Sequence, residues 1–256
     1  MVDYKFPLEE RFEVAEGTMA FVFDTRSTSS GQASSAPDFT FRAGQYVEIG
    51  LESMLYTDEK KDHREFSIAS SPTDEGILMV ATRLGSPERP ISAFKRSLTE
   101  IPIGTKAKVK GPYGSFTLHE NPAKKAVFIA GGIGITPCRS IIKYATEQKL
   151  PHNITLIYSN RNPESAAFLK DLERWQRENK NFKLLATMTE LKNPGESWGG
   201  LTDKVDANFL KTQLQNFTET IFYVVGPPAM VSGVTKALEE VGVSRDDVRF
   251  EEFTGY

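Results

Sequence analysis

Apolar and polar positions change rhythm near the middle of the chain. In the first half they mark short β-rich runs at residues 18–25 (TMAFVFDT), 45–51 (QYVEIGL), 64–69 (REFSIA), 77–84 (ILMVATRL) and 105–110 (TKAKVK). In the last of these, Lys106, Lys108 and Lys110 alternate with Ala107 and Val109. That period of two predicts a strand with one buried face. Several short strands separated by Gly and Pro predict an antiparallel barrel or sandwich. From Lys124 onward, apolar cores at 126–130, 154–158, 182–187 and 221–225 alternate with helical periods at 137–148, 163–179 and 229–241. This alternation predicts parallel βαβ units with helices on both sheet faces. The change falls in NPAKK at 121–125, so the chain is read as two domains, 1–122 and 123–256. Residues 27–37 (STSSGQASSAP) and the charged segment 56–63 read as surface loops.

Composition narrows the field. The chain has 256 residues, and its 31 Lys+Arg against 34 Asp+Glu leave a net charge of −3. This balance argues against a nucleic-acid-binding surface. One cysteine, Cys138, excludes an internal disulfide or a Cys₄ cluster and fits a reducing compartment. No run approaches the ~20 apolar residues of a membrane span, and the opening MVDYKFPLEE does not read as a secretory signal. The expectation is a soluble, cytoplasmic protein. His63, His119 and His152 lack ligand spacing and fall in predicted loops, so no metal is expected.

Four stretches carry the chemistry. AGGIGITP, residues 130–137, leaves a buried strand and opens a helix. Gly131, Gly132 and Gly134 let the backbone approach a ligand, and the helix start offers unpaired N–H groups to an anion such as a pyrophosphate. Pro137 replaces the third glycine of the dinucleotide fingerprint, and no lysine follows to make a P-loop. GPP at 226–228 follows a strand and precedes a helix, which places Gly226 and Met230 at the same crevice. REFSIASS at 64–71 offers a cation, a ring and hydroxyls, and EEFTGY at 251–256 offers aromatics. Taken singly, the last three are most simply an ordinary turn, an edge strand and packing residues.

Together, in this order, the four stretches resemble the ferredoxin–NADP reductase superfamily from about residue 18 to 253. The resemblance implies a six-stranded antiparallel barrel that binds FAD, followed by an α/β domain that binds a nicotinamide nucleotide. By the same resemblance, Arg64 pairs with the flavin diphosphate, Phe66 stacks on the isoalloxazine and Ser67 hydrogen-bonds flavin N5. Val80 and Thr82 lie on the strand whose backbone lines the flavin. Ser92 is the serine of the family's G-x-x-S phosphate turn, where Arg89 stands at the glycine position, and the helix beginning near Ile91 caps the diphosphate with its N–H groups. GPYGSF at 111–116 matches the turn closing the flavin domain. Gly132, Gly134, Thr136 and Pro137 form the nucleotide turn. Gly226, Pro227, Pro228 and Met230 form the nicotinamide-side loop, with Val225 where relatives often carry Cys. Glu251 and Phe253 fit the terminal acid-x-aromatic, Glu251 as a catalytic group alongside Ser67. Either Phe253 or Tyr256 covers the flavin face that nicotinamide must occupy.

The implied activity is hydride transfer from NADH or NADPH to FAD, then electron release to an acceptor such as ferredoxin, flavodoxin or a cytochrome. Arg161 suits a 2′-phosphate, whereas Glu190 repels one, which favours NADH. Two other classes remain. A flavin-bearing electron-transfer component or sensor would turn over poorly alone. A serine hydrolase would use Ser197 in GESWG, but the flanking Pro194, Gly199 and Gly200 deny it the strand and helix that a nucleophile elbow needs.

Overall fold

A computed structural model describes residues 3–26, 38–57, 62–85, 90–191, 198–214 and 216–253. Arg89, Ser197 and Tyr256 therefore lie outside the described residues.

The first half forms one six-stranded antiparallel sheet. Its strands are β1 (Asp3–Ala15), β2 (Thr18–Asp24), β3 (Tyr46–Leu51), β4 (His63–Ser67), β5 (Ile77–Arg83) and β6 (Lys106–Tyr113). They run in the order β4-β3-β6-β1-β2-β5. An isolated antiparallel bridge, Ile68 to Val80, joins the two ends. Helix α1 (Ala93–Glu100) links β5 to β6. Phe6, Phe21, Phe23, Val47 and Ile49 fill the interior and are fully buried.

β1 lies outside the strands read from the pattern, because Pro7 and the polar run Glu9–Glu10–Arg11 obscure it. Its first half alternates as a strand should, with Tyr4, Phe6 and Leu8 buried. Pro7 is tolerated because the strand changes partner there: residues 3–7 pair with β6, and pairing with β2 starts at Leu8. A proline, which has no N–H to give, suits such a changeover.

The second half is a five-stranded parallel sheet in the order β11-β10-β7-β8-β9. Its strands are β7 (Lys125–Gly131), β8 (Ile154–Asn160), β9 (Phe182–Met188), β10 (Thr220–Gly226) and β11 (Val248–Glu252). The helices are α2 (Ile135–Glu147), α3 (Leu169–Glu178), α4 (Ala207–Gln213) and α5 (Pro228–Glu240). The expected single helix over 163–179 is broken. Asn162 and Ser165 cap each other around a short 3-10 turn, and Phe168 takes a left-handed backbone (φ 60°) before α3 begins. That strain, of order 1–2 kcal/mol, is offset by burying the Phe168 ring under the Arg139 guanidinium, 4.5 Å from the ring centre. The short α4 and β11 also escape the pattern.

The two sheets share a core. Phe21 and Phe23 point into the barrel, while Ala20 and Val22 on the other face of β2 join a cluster with Ile135, Cys138 and Ile141 of the second half. β2 and β5 are thus buried on both faces. The functional residues collect along this seam.

Candidate functional site

The nucleotide side is built from backbone. β7 ends at Gly131, residues 132–134 make one 3-10 turn, and α2 starts at Ile135. Gly132 has φ 53° and open space around it. Gly134 is the opposite case: a Cβ there would lie 2.7 Å from the Val225 carbonyl oxygen and 3.0 Å from Gly226. The turn after β7 therefore seats directly on the end of β10. Gly226 itself has φ 156°, and its carbonyl accepts from the Phe253 N–H at 2.9 Å. Met230, in the first turn of α5, lies so close over Gly131 that a side chain at 131 would strike its sulfur. Thr136 is buried, and its hydroxyl donates to the Ile133 carbonyl at 3.1 Å, tightening the turn; Pro137 is buried in the first turn of α2.

A cavity of about 430 Å³ opens over this platform, lined by Gly131, Gly132, Pro227 and Met230 at its floor. Arg161 and Glu190 line it too, 3.9 Å apart and both exposed. The acid thus lies against the cation that would otherwise face a phosphate. Thr18 and Arg83 enter this cavity from the barrel, where they are register partners on β2 and β5, and Lys204 enters from the second half. The strand-by-strand reading missed all three, because only the three-dimensional closure of the barrel brings its edge over the nucleotide turn.

The barrel side is built from side chains. Arg64 on β4 places its guanidinium 5.3 Å from the centre of the Phe94 ring at the start of α1. Ser92 is the N-cap of that helix and accepts from the Lys95 N–H at 3.4 Å. The first turn of α1 carries no acidic residue. A cation and a helix start therefore converge, which suits a diphosphate. Phe66 shares the Arg64 face of β4 and is 4% exposed, with its ring 6.1 Å from that of Phe94. Stacking of Phe66 on a flavin accordingly needs this packing to open. Val80 and Thr82 are fully buried, so what they offer a ligand is backbone.

Ser67 closes β4, opposite Tyr46 on β3, which in turn pairs with Tyr113 on β6. β11 brings Glu251 to the same place. Glu251 pairs in register with Val225, one residue before the glycine of the nucleotide-side loop. Its Oε2 is buried with no hydrogen-bond partner among the described residues. A cavity of about 550 Å³ lies between Glu251 and the turn at Gly114–Phe116. Burial first, and the Glu65 carboxylate second, push the Glu251 acid up to about 7. Burial and the same two carboxylates, Glu65 and Glu251, raise the Tyr46 phenol. Tyr46 and Glu65 were not singled out in the sequence, although Glu65 lies inside the motif.

Other candidates are structural. Cys138 is fully buried and its thiol is pushed well up, so it is not a nucleophile. His119 and His152 lie in loops but are buried, whereas His63 opens β4. His119 Nδ1 lies 3.0 Å from the Tyr223 hydroxyl, and His152 Nε2 lies 2.8 Å from the His119 carbonyl oxygen. Burial lowers the His119 pKa and keeps the ring neutral. Among the described residues no group of three or more His, Cys, Asp or Glu is placed to hold a metal, and no helix is long and apolar enough to cross a membrane.

An antiparallel barrel and a parallel sheet, with anion-ready helix starts on each side of one seam, define a two-domain flavin- and nicotinamide-dependent oxidoreductase. Comparison with known proteins agrees. Residues 5–118 match the oxidoreductase FAD-binding domain, and 128–236 match the oxidoreductase NAD-binding domain. The chain belongs to the ferredoxin–NADP reductase superfamily and is an NAD(P)H-dependent flavin oxidoreductase. Among curated relatives, one subunit of the Na⁺-translocating NADH-quinone reductase of Pseudoalteromonas atlantica is 29% identical over 83% of this chain and 54% of its own length. The corresponding subunit from Methylococcus capsulatus is 29% identical over 75% of this chain and 49% of its own. The chain thus spans about half the length of these relatives. The cytochrome b5 reductase domain of Ulva prolifera nitrate reductase shares the fold, with TM-score 0.79 at 18% identity over 98% of this chain and 97% of that one. Amycolatopsis cytochrome P450 reductase GcoB does so with TM-score 0.78 at 20% identity over 99% of this chain and 70% of that one.

Proposed function

We propose that this chain takes hydride from NADH at the seam between its halves and passes electrons on, one at a time, to a protein acceptor. The observation that supports this most strongly is the convergence at one seam of three groups: the glycine platform 131–134, the Gly226 loop and the buried acid Glu251. FAD, when bound, supplies the two-electron acceptor for the hydride and the ability to release those electrons singly.

The chain's own residues do the rest. Arg64 and the Ser92-capped start of α1 hold the diphosphate of the flavin, and Ser67 offers a hydroxyl to its N5. Gly132, Gly134 and Thr136 offer backbone N–H groups to the nucleotide's own diphosphate, Pro137 fixes the first turn of α2 behind them, and Arg83 of the barrel stands opposite. Gly226, Pro227 and Met230 bound the nicotinamide end. Holding two reactants at near-attack distance can supply roughly 7–11 kcal/mol, which is why rigid backbone, not reactive side chains, dominates this half of the site. Glu251, with a pKa of about 7, keeps a proton available beside Ser67 at neutral pH. Phe253, tied by its N–H to Gly226, sits where nicotinamide arrives and must give way to it; the alternative cover, Tyr256, lies outside the described residues.

NADH is preferred because Glu190 occupies Arg161 and opposes a 2′-phosphate. The single buried cysteine suits the cytoplasm. A second reading has its own support: the curated relatives are named as subunits of an NADH-quinone reductase, so the chain is also suited to serve as the flavin module of an assembly. The test is mass spectrometry of the released cofactor, followed by anaerobic titration with NADH and NADPH. FAD released and reduced by NADH supports the proposal. FAD reduced by NADH but without turnover on ferricyanide supports the module reading. An absence of flavin refutes both.

A further inference from the structure

The positions 139, 143 and 147 recur every four residues, so they form one stripe along α2. The stripe is polar, Arg139–Lys143–Glu147, on a helix whose residues 135–142 are all buried. It faces the barrel. Arg139 donates through Nη1 to the Ala69 carbonyl at 2.7 Å, and Ser140 donates to the Ser70 carbonyl at 2.6 Å, both bonds buried. Farther along, Lys143 pairs with Asp74, and Glu147 accepts from Thr73. The other side of the Arg139 guanidinium meets Asp171 of α3 at 2.9 Å, with the Phe168 and Trp175 rings 4.5 and 5.3 Å away.

The gripped residues are not arbitrary. Ala69 and Ser70 come two and three positions after Ser67. They are also tied to β5: the Ala69 N–H donates to the Met79 carbonyl at 2.7 Å, and the Met79 N–H donates to the Ser70 hydroxyl at 2.9 Å. At its other end, α2 begins at the turn that receives the nucleotide, three residues before Cys138 and four before Arg139. One turn of helix therefore connects the nucleotide platform to the strand end that carries Ser67. Both bonds go to backbone carbonyls, so they fix the path of the chain and not merely a side chain.

We propose that Arg139 and Ser140 are positioning residues for hydride transfer, which set the distance between the nucleotide seated on residues 131–137 and the flavin edge faced by Ser67. This rests on the oxidoreductase reading above. Lys143, in the middle of the stripe, pairs with Asp74, which accepts from the Ser71 N–H at 2.9 Å; this grip lies beyond the Ala69 and Ser70 carbonyls and serves as the comparison. Misplacement of about 1 Å can cost roughly a hundredfold in rate, so the grip matters even though neither residue touches a reactant.

The test compares wild type, Ser140→Ala, Arg139→Met, Arg139→Lys and Lys143→Met as full-length, flavin-loaded chains. Two readouts are taken. One is amide hydrogen exchange of residues 67–71, which needs no turnover. The other is the limiting rate of flavin reduction and the NADH dissociation constant in anaerobic stopped flow, with 4-deuterated NADH to show that hydride transfer is being timed. Expected are faster exchange in 67–71, a limiting rate reduced about tenfold in Ser140→Ala and up to about a hundredfold in Arg139→Met, and an NADH affinity little changed. Arg139→Lys recovers part of the rate, because one ammonium serves one of the two acceptors. Lys143→Met keeps the rate. If Arg139→Met fails to fold, Ser140→Ala alone decides. An unchanged limiting rate in Ser140→Ala, or equal slowing in Lys143→Met, would overturn the proposal. A wild-type chain that NADH does not reduce would overturn the oxidoreductase reading itself, a failure seen without any variant.

Discussion

The two halves of the site are made differently. On the nucleotide side the ligand-facing surface is backbone, pressed together so tightly that Gly134 has no room for a Cβ against Val225 and Gly226. On the barrel side it is side chains, Arg64, Ser67 and Tyr46 on paired strands β3 and β4, met by Glu251 from β11, the edge strand of the second sheet. A backbone site tolerates almost no added atoms, whereas a side-chain site tolerates substitution and loses function in steps. The halves should therefore respond to mutation in different ways.

The largest effect is expected on the backbone side. Gly134→Val drives a branched side chain into the Val225 carbonyl, and overpacking of this kind costs about 1–3 kcal/mol or more. NADH reduction should disappear while the barrel still takes up FAD, as seen by flavin fluorescence and thermal melting. Gly132→Ala sharpens the contrast, because that site has space but a positive φ; it should add only left-handed backbone strain, a stability loss of about 1–2 kcal/mol. Equal damage from the two would contradict the seated-backbone picture.

Glu251 gives the next effect, and its sign follows from the raised pKa. The folded state holds this proton up to about pH 7, against an ordinary 4.5. Below 4.5 the carboxyl is neutral in both states and costs nothing. Between the two values the folded state must either keep a proton that the unfolded chain has released or bury a charge, so stability falls as pH rises. The loss reaches roughly 3 kcal/mol above pH 7. Glu251→Gln should match wild type near pH 4 and melt higher above pH 7. A melting difference that is flat across pH would refute the buried-acid assignment.

Smaller changes come from the remaining side chains. Ser67→Ala removes one hydrogen bond worth about 1–1.5 kcal/mol, so flavin reduction should slow by roughly tenfold with FAD retained. Reduction at wild-type speed would remove Ser67 from the mechanism. Smallest is Glu190→Gln, which frees Arg161. An exposed pair is worth only about 0.2–1 kcal/mol, so kcat/KM for NADPH should rise a few-fold while that for NADH hardly moves.

The same contrast explains what could be read in the sequence. Backbone sites need glycine and proline at set places, so 130–137 and 226–228 stand out in one chain, as do the barrel and parallel-sheet rhythms around them. Side-chain sites leave weaker marks. Tyr46 and Glu65 acquire meaning only when β3, β4 and β11 converge, and Arg83 only when the barrel edge closes over the nucleotide cavity. The burial of Phe66 against Phe94 depends on where α1 packs, which no local pattern reports. β1 was hidden by Pro7, whose place makes sense only once the change of partner strand is known. The polar stripe on α2 was present as a four-residue repeat, but on a buried helix it reads as surface until the barrel is seen against it.

The central claim is that one seam brings nicotinamide and flavin together within this chain. Anaerobic mixing of the purified, FAD-loaded chain with one equivalent of NADH measures it most directly. Bleaching of the visible flavin absorption in a single rapid phase, reversed on adding ferricyanide, is the predicted result. A flavin that NADH leaves oxidised, yet dithionite reduces, would contradict it.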